Sequence, residues 1–171
     1  LMKSNKNIVL IGMMGSGKSL IGKMLSKKLK LTFVDIDRII EETEKMKISE
    51  IFKKYGENYF RKIEEKISLK FLTSENSIIS LGGGGFINVS IRKMCEKNCL
   101  SFWLNWKNET IIKRIYKSKK RPLVINLTKT QITNLIKERS KVYSLSNHRV
   151  DCDKLDKKEI INKILKIYEN K

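Results

Sequence analysis

The feature that most narrows the possible folds is a junction near the start of the chain. Four apolar residues, Ile8-Val9-Leu10-Ile11, run directly into Gly12-Met13-Met14-Gly15-Ser16-Gly17-Lys18-Ser19. A helical pattern follows, with Ile21, Leu25 and Leu29 on one face. The octet satisfies every fixed position of the phosphate-loop pattern G-x-x-x-x-G-K-[ST], and it lies between a buried strand and a helix, where that pattern has to lie. Glycines let backbone N–H groups close around phosphate oxygens, and the helix N-terminus adds its own positive end. Lys18 is suited to reach the β- and γ-phosphates, and the Ser19 hydroxyl to ligate Mg²⁺. A chain with this junction binds a nucleoside triphosphate.

The rest of the chain alternates in the same way. Strands are expected at 7–11, 32–35, 77–81, 99–104 and 148–151. Helices are expected at 17–29, 37–46, 48–55, 57–73, 88–96, 108–117, 130–145 and 156–169. Short β-rich runs separated by helical stretches imply βαβ units. The expected architecture is a three-layer α/β/α domain spanning residues 1–171, with a five-stranded parallel sheet covered on both faces. Ligands in such sheets bind beyond the carboxyl ends of the strands, so the informative loops follow Ile11, Val34, Leu81 and Leu104.

Charge needs weighing, because the formal net charge is +19. The 37 basic residues are thirty lysines and seven arginines, and alanine is absent, which looks like coding bias toward A/T-rich codons. The lysines scatter over every helix, as a solvated surface would have them, and no nucleic-acid signature accompanies them. Their potential still draws in anionic substrates. Arginine is informative by its scarcity. One kept where lysine would supply charge suggests a need for the planar guanidinium fork, and five of the seven (Arg38, Arg61, Arg114, Arg121 and Arg139) fall in candidate site segments. Cys95, Cys99 and Cys152 form no C-x-x-C pair and are expected to be reduced core thiols of a cytoplasmic protein. No apolar run approaches the ~20 residues that cross a bilayer. Leu1 to Asn7 lack a signal-peptide core, and Leu1 ahead of Met2 is expected to be extraneous.

Four further segments carry candidate chemistry. In Asp35-Ile36-Asp37, an extended backbone would point both carboxylates the same way. One could hold Mg²⁺ through water while the other accepts a hydrogen bond from an attacking hydroxyl, although Asp37 could also simply cap the next helix. Arg61 and Glu64 share a helical face, which taken alone reads as a surface ion pair. The run Gly82-Gly83-Gly84-Gly85 ends the third strand, an entropic cost that makes sense where something approaches the main chain closely. A basic segment of weak periodicity, about residues 117–128 with Arg121-Pro122, has the character of a mobile lid. Arg139 and Tyr143 lie on the helix beyond it.

Together these residues resemble the shikimate kinase family over nearly the whole chain: G-x-x-x-x-G-K-S, D-x-D, G-E-x-Y-F-R-x-x-E, S-L-G-G-G, R-P-L and E-R-x-x-x-Y, in that order. The resemblance implies a P-loop kinase fold like that of the nucleoside monophosphate kinases, with ATP and Mg²⁺ phosphorylating the 3-hydroxyl of shikimate. It implies that Asp37 orients and accepts from that hydroxyl, that Arg61 and Arg139 grip the carboxylate, and that Gly82, Gly83 and Gly84 line the substrate pocket. Gly15, Ser16, Gly17, Lys18, Ser19 and Leu20 would hold the nucleotide, Leu20 by its backbone alone. Ser19 and Asp35 would hold Mg²⁺, Arg114 would lie against adenine, and Lys18 and Arg121 would meet the transferring phosphoryl group. The adenine contact beyond Asp151, in Cys152-Asp153-Lys154, has no arginine to match. The expected partners are shikimate and ATP, with no specific nucleic acid, no membrane, and a monomeric state. The rivals are another small-molecule kinase of the same fold, such as one acting on gluconate, and a nucleic-acid-binding ATPase.

Overall fold

The structure is a computed structural model that describes residues 6–118 and 127–170. Five strands, β1 (Asn7–Ile11), β2 (Thr32–Asp35), β3 (Ser77–Ser80), β4 (Cys99–Asn105) and β5 (His148–Asp151), pair entirely in parallel in the order β2-β3-β1-β4-β5. Central strand β1 is buried along its whole length, and its side chains alternate between two cores. Ile8 and Leu10 join one cluster with Ile78, Phe102 and Leu104, while Val9 and Ile11 join the other with Ile79 and Trp103. That explains why the strand reads as a continuous apolar run: both of its faces need oil.

Seven α-helices are described. α1 (Lys18–Leu29) and α7 (Lys157–Glu169) cover one face. On the other face lie α2 (Ile36–Glu44), α3 (Ile48–Leu72), α4 (Val89–Asn98), α5 (Asn108–Lys117) and α6 (Lys129–Tyr143). The expected strands and helices are all present, with ends displaced by one or two residues where fraying is common. The break expected between residues 55 and 57 is real. Gly56, at φ 80° and ψ 174°, leaves the helical region inside α3 and redirects it, a backbone state that a side chain would resist.

The topology also sets the position of the site. The chain leaves β1 toward β2 on one side, and later crosses from β3 over β1 to β4 on the other. The crevice beyond the carboxyl end of β1, where the direction of winding reverses, holds the loop Gly12–Gly17. The cysteines are free and buried, as expected. Among the described residues, no helix is long and apolar enough to cross a membrane. The expected lid, with Arg121, lies almost wholly outside the described residues.

Candidate active site

The phosphate loop runs from the end of β1 into the first turn of α1, and much of its carbonyl side is occupied by the protein itself. Lys18 Nζ donates to Gly12 O at 2.8 Å and to Met13 O at 3.1 Å. Arg114 Nη1 donates to Gly15 O at 3.0 Å, and Trp106 Nε1 to Ser16 O at 2.9 Å. With carbonyls tied back this way, the loop is free to present N–H groups to an anion. Lys18 is the one buried lysine among those described, and every other described lysine is exposed. The arginines differ: Arg61, Arg92, Arg114 and Arg139 are all partly buried.

Two cavities share this loop as a wall. The first, about 670 Å³, is lined by Gly15, Ser16, Gly17 and Leu20, by Trp106 and Arg114, and by residues 155–158. Of the residues expected at the nucleotide, Gly15, Ser16, Gly17, Leu20 and Arg114 line this cavity, while Ser19 lines the second cavity, Lys18 is turned to the Gly12 and Met13 carbonyls, and Arg121 lies outside the described residues. Leu20, expected to contribute its backbone alone, has a half-exposed side chain on the cavity wall. Beyond Asp151, where no arginine is available to match, the chain contributes other residues to this cavity. Leu155, Asp156, Lys157 and Lys158 line the cavity, while Asp153 turns away to cap α5, accepting from Lys107 N at 2.6 Å and Thr110 Oγ1 at 2.7 Å. Sequence reasoning missed Trp106, and only its place just past β4 could have flagged it.

The second cavity, about 680 Å³, brings together Ser19, Asp35, Asp37, Arg61, Gly83, Gly84 and Arg139. One expectation about it is corrected. Asp35 and Asp37 do not share an extended stretch: Asp35 ends β2 and stands at the N-cap of α2, and Asp37 lies in the first turn of that helix. Asp37 therefore is not the cap. Both carboxylates still line one cavity, because the strand-to-helix turn aims them there. Asp35 Oδ2 accepts from Ser19 Oγ at 2.5 Å.

The Arg61–Glu64 pair is a second correction, since it is no simple surface bridge. Arg61 Nη1 meets Glu64 Oε2 at 2.6 Å, with the Glu64 side chain 3% exposed, and the other side of the guanidinium is held by Glu57 Oε1 at 3.0 and 3.1 Å. Burial pushes the Glu64 carboxyl above its ordinary range, against the opposing pull of Arg61. Glu64 is a site residue that the sequence left in the background.

The glycine run explains itself at this point. A methyl group added at Gly82 would stand 2.6 Å from both Asp37 Oδ1 and Glu64 Oε1, and one at Gly84 would stand 2.5 Å from Arg61 Nη1. What approaches the main chain so closely is the protein's own set of charged side chains. Tyr143, on α6 one turn beyond Arg139, donates to Gly83 O from a buried position, and burial raises its phenol to about 12. Gly85 opens a 3₁₀ turn whose Phe86 and Ile87 carbonyls are held by Arg92. Arg92 and Arg149 lie outside both cavities, so not every retained arginine serves the site.

The shikimate kinase family model matches residues 14–169. The chain belongs to the shikimate kinase family. A shikimate kinase from Sulfurihydrogenibium sp. is 41% identical over 160 residues, covering 94% of this chain and 96% of that one. Among solved structures, shikimate kinase from Acinetobacter baumannii in complex with shikimate matches with a TM-score of 0.90 at 26% identity, covering 96% of this chain and 93% of that one. Shikimate kinase from Aquifex aeolicus gives 0.82 at 33%, covering 96% of each. A gluconokinase from Sinorhizobium meliloti reaches only 0.58 at 15% identity, a likeness of fold alone.

Proposed function

We propose that the chain works as one domain, a shikimate kinase that transfers the γ-phosphoryl group of ATP to the 3-hydroxyl of shikimate. The observation that carries this reading is the second cavity, which sets the Asp37 carboxylate and the Arg61 and Arg139 guanidinium groups around the glycine run, with the phosphate loop as its wall. A small anionic polyol needs that set: bidentate cations for its carboxylate and an acceptor for its reacting hydroxyl. Arg61 and Arg139 bind the carboxylate against Gly82, Gly83 and Gly84. Asp37 orients the hydroxyl and takes its proton as the oxygen attacks phosphorus.

On the other side of the loop, the apolar cavity takes the base of ATP, with Arg114 against it and Gly15 to Leu20 around the phosphates. Lys18 leaves the Gly12 and Met13 carbonyls to follow the transferring group, and Arg121 adds charge where that group becomes more negative. The hard oxygens of Ser19 and Asp35, which meet each other at the cavity wall, suit Mg²⁺: Ser19 would hold it directly and Asp35 through water, and it would supply positive charge to neutralise the phosphates. We place the enzyme in the cytoplasm as a monomer, a setting that its three free thiols fit.

A coupled assay of ADP release tests the reading. Shikimate should drive turnover, while gluconate and the absence of any acceptor should leave background ATP hydrolysis. Equal rates with and without shikimate would overturn the substrate, and no ATP turnover under any condition would overturn the kinase.

A further inference from the structure

The nucleotide cavity contains an aromatic residue that no part of the proposed mechanism uses. Trp106 follows β4, is half-buried, and packs against both hydrophobic cores. It is anchored through its edge, since Nε1 donates to Ser16 O at 2.9 Å. The Arg114 guanidinium lies over its ring, with Cζ 3.8 Å from the ring centroid, and is itself anchored by Nη1 to Gly15 O at 3.0 Å. Indole and guanidinium thus form a two-layer stack, each layer tied to a successive carbonyl of the phosphate loop. Around them the walls are apolar: Leu20, Ile21, Met24, Leu155 and Ile160.

We propose that Trp106 is a positioning residue for the nucleotide base: it holds the Arg114 guanidinium flat, so that its opposite face forms a platform for the aromatic base of ATP. The inference rests on the reading that this cavity takes ATP, and it adds a residue and a physical reason to that reading. An arginine side chain has many rotamers, and one lying loose across a cavity mouth would have to be ordered each time a base arrived. The indole orders it in advance. Guanidinium stacks on aromatic faces on both sides, being planar and weakly hydrated. The order of the stack is indole, guanidinium, base, with the positive layer between two π-systems.

Trp106 also braces the loop through Ser16 O, and a bracing role alone would affect phosphate binding. The two roles separate with a probe that has phosphates and no base. Isothermal titration should compare Mg·ATP with magnesium tripolyphosphate on the wild-type chain, on Trp106→Leu and on Trp106→Phe. If Trp106 acts through the base platform, Trp106→Leu weakens ATP about tenfold and tripolyphosphate by less than about twofold. In kinetics the KM for ATP rises by a similar factor, while kcat at saturating ATP and the KM for shikimate hold. Trp106→Phe, which keeps a ring face and loses the N–H donor, retains ATP affinity within about threefold.

Equal weakening of ATP and tripolyphosphate by Trp106→Leu would overturn the proposal, as would ATP binding that the leucine variant leaves intact. If the leucine variant does not fold, Trp106→Phe decides: retained affinity for both probes supports the platform, and loss of both overturns it. Titration needs no acceptor, so the result is independent of whether shikimate is the substrate. A wild-type chain that binds tripolyphosphate as tightly as ATP would remove the base site altogether, and the proposal with it.

Discussion

The two cavities that meet at the phosphate loop are almost equal in volume, about 670 and 680 Å³, yet they are built by different means. The nucleotide cavity draws on three short stretches of chain, residues 15–24, 106–114 and 155–160. Its loop end is backbone, and the remainder is mostly apolar wall with one stacked arginine and the polar run 156–158 at its edge. The acceptor cavity collects side chains from Met14 to Arg139, on α1, α2, α3, α6 and the glycine run. Its working parts are charges, one of them fully buried, with the main chain trimmed to glycine to admit them. A site made of backbone tolerates exchange of its side chains, because N–H groups remain. A site made of side-chain charges depends on single atoms, and it should fail one residue at a time.

That contrast is sharpest at Asp37. Asp37→Asn leaves the phosphate loop intact, so ATP affinity should hold while turnover falls by about 10²–10⁴-fold, the usual worth of a general base or orienting group. Near-normal turnover with shikimate would take Asp37 out of the mechanism. Next in size come Arg61→Lys and Arg139→Lys, which keep the charge and lose the fork. Each should weaken shikimate by roughly tenfold to a hundredfold, about 1.5–3 kcal/mol, with the KM for ATP little changed. If these variants affect ATP and shikimate alike, the two halves are not separable as described.

A third test uses pH. Burial raises the Tyr143 phenol to about 12, above its ordinary value of 10.0. A neutral phenol is therefore favoured in the folded state. The associated stability is whole below pH 10 and is lost as pH rises through the folded value, with a ceiling of roughly 2–3 kcal/mol. Tyr143→Phe should flatten that alkaline loss relative to the wild type in urea unfolding measured from pH 9 to 12. Parallel curves for the two proteins would show that the phenol is not held neutral by burial. The smallest effect belongs to the nucleotide half. Asp153→Ala removes the side-chain acceptor at the start of α5 and should cost about 1 kcal/mol of stability. Its kinetic trace should be a modest rise in the KM for ATP alone, since α5 carries Arg114; a larger effect on shikimate would contradict the division.

The same division explains what was legible in the sequence. The sheet and its helices could be read because parallel strands buried on both faces leave unbroken apolar runs, as at Ile8–Ile11 and Ile78–Ile79. The phosphate loop could be read because its chemistry is local, eight residues in a row. The acceptor residues are spread over more than a hundred positions, and only their ordered likeness to a family joined Asp37 to Arg139. Three details escaped. The turn at Asp35 is hidden in the sequence, since the two residues beyond it are too few to show a period. Glu64 reads from spacing as half of a surface pair, because spacing reports a shared face and says nothing about depth. Trp106 carried no motif at all, and its meaning depends on a carbonyl 90 residues away in sequence.

The glycine run has a bearing on how such a site can be surveyed. Alanine scanning assumes that alanine is the neutral probe, a side chain shortened to almost nothing. At Gly82 and Gly84 the smallest possible side chain is an obstruction, meeting a carboxylate or a guanidinium head at 2.5–2.6 Å, whereas at Gly85 the nearest atom is 3.5 Å away and there is room. The two intolerant positions form a cast of side chains that belong to other helices. Their freedom to change during evolution is therefore set elsewhere, by the reach of Arg61, Asp37 and Glu64, and a methyl group at 84 requires the Arg61 head to move from its present place between Glu57 and Glu64 or residue 61 to be shorter.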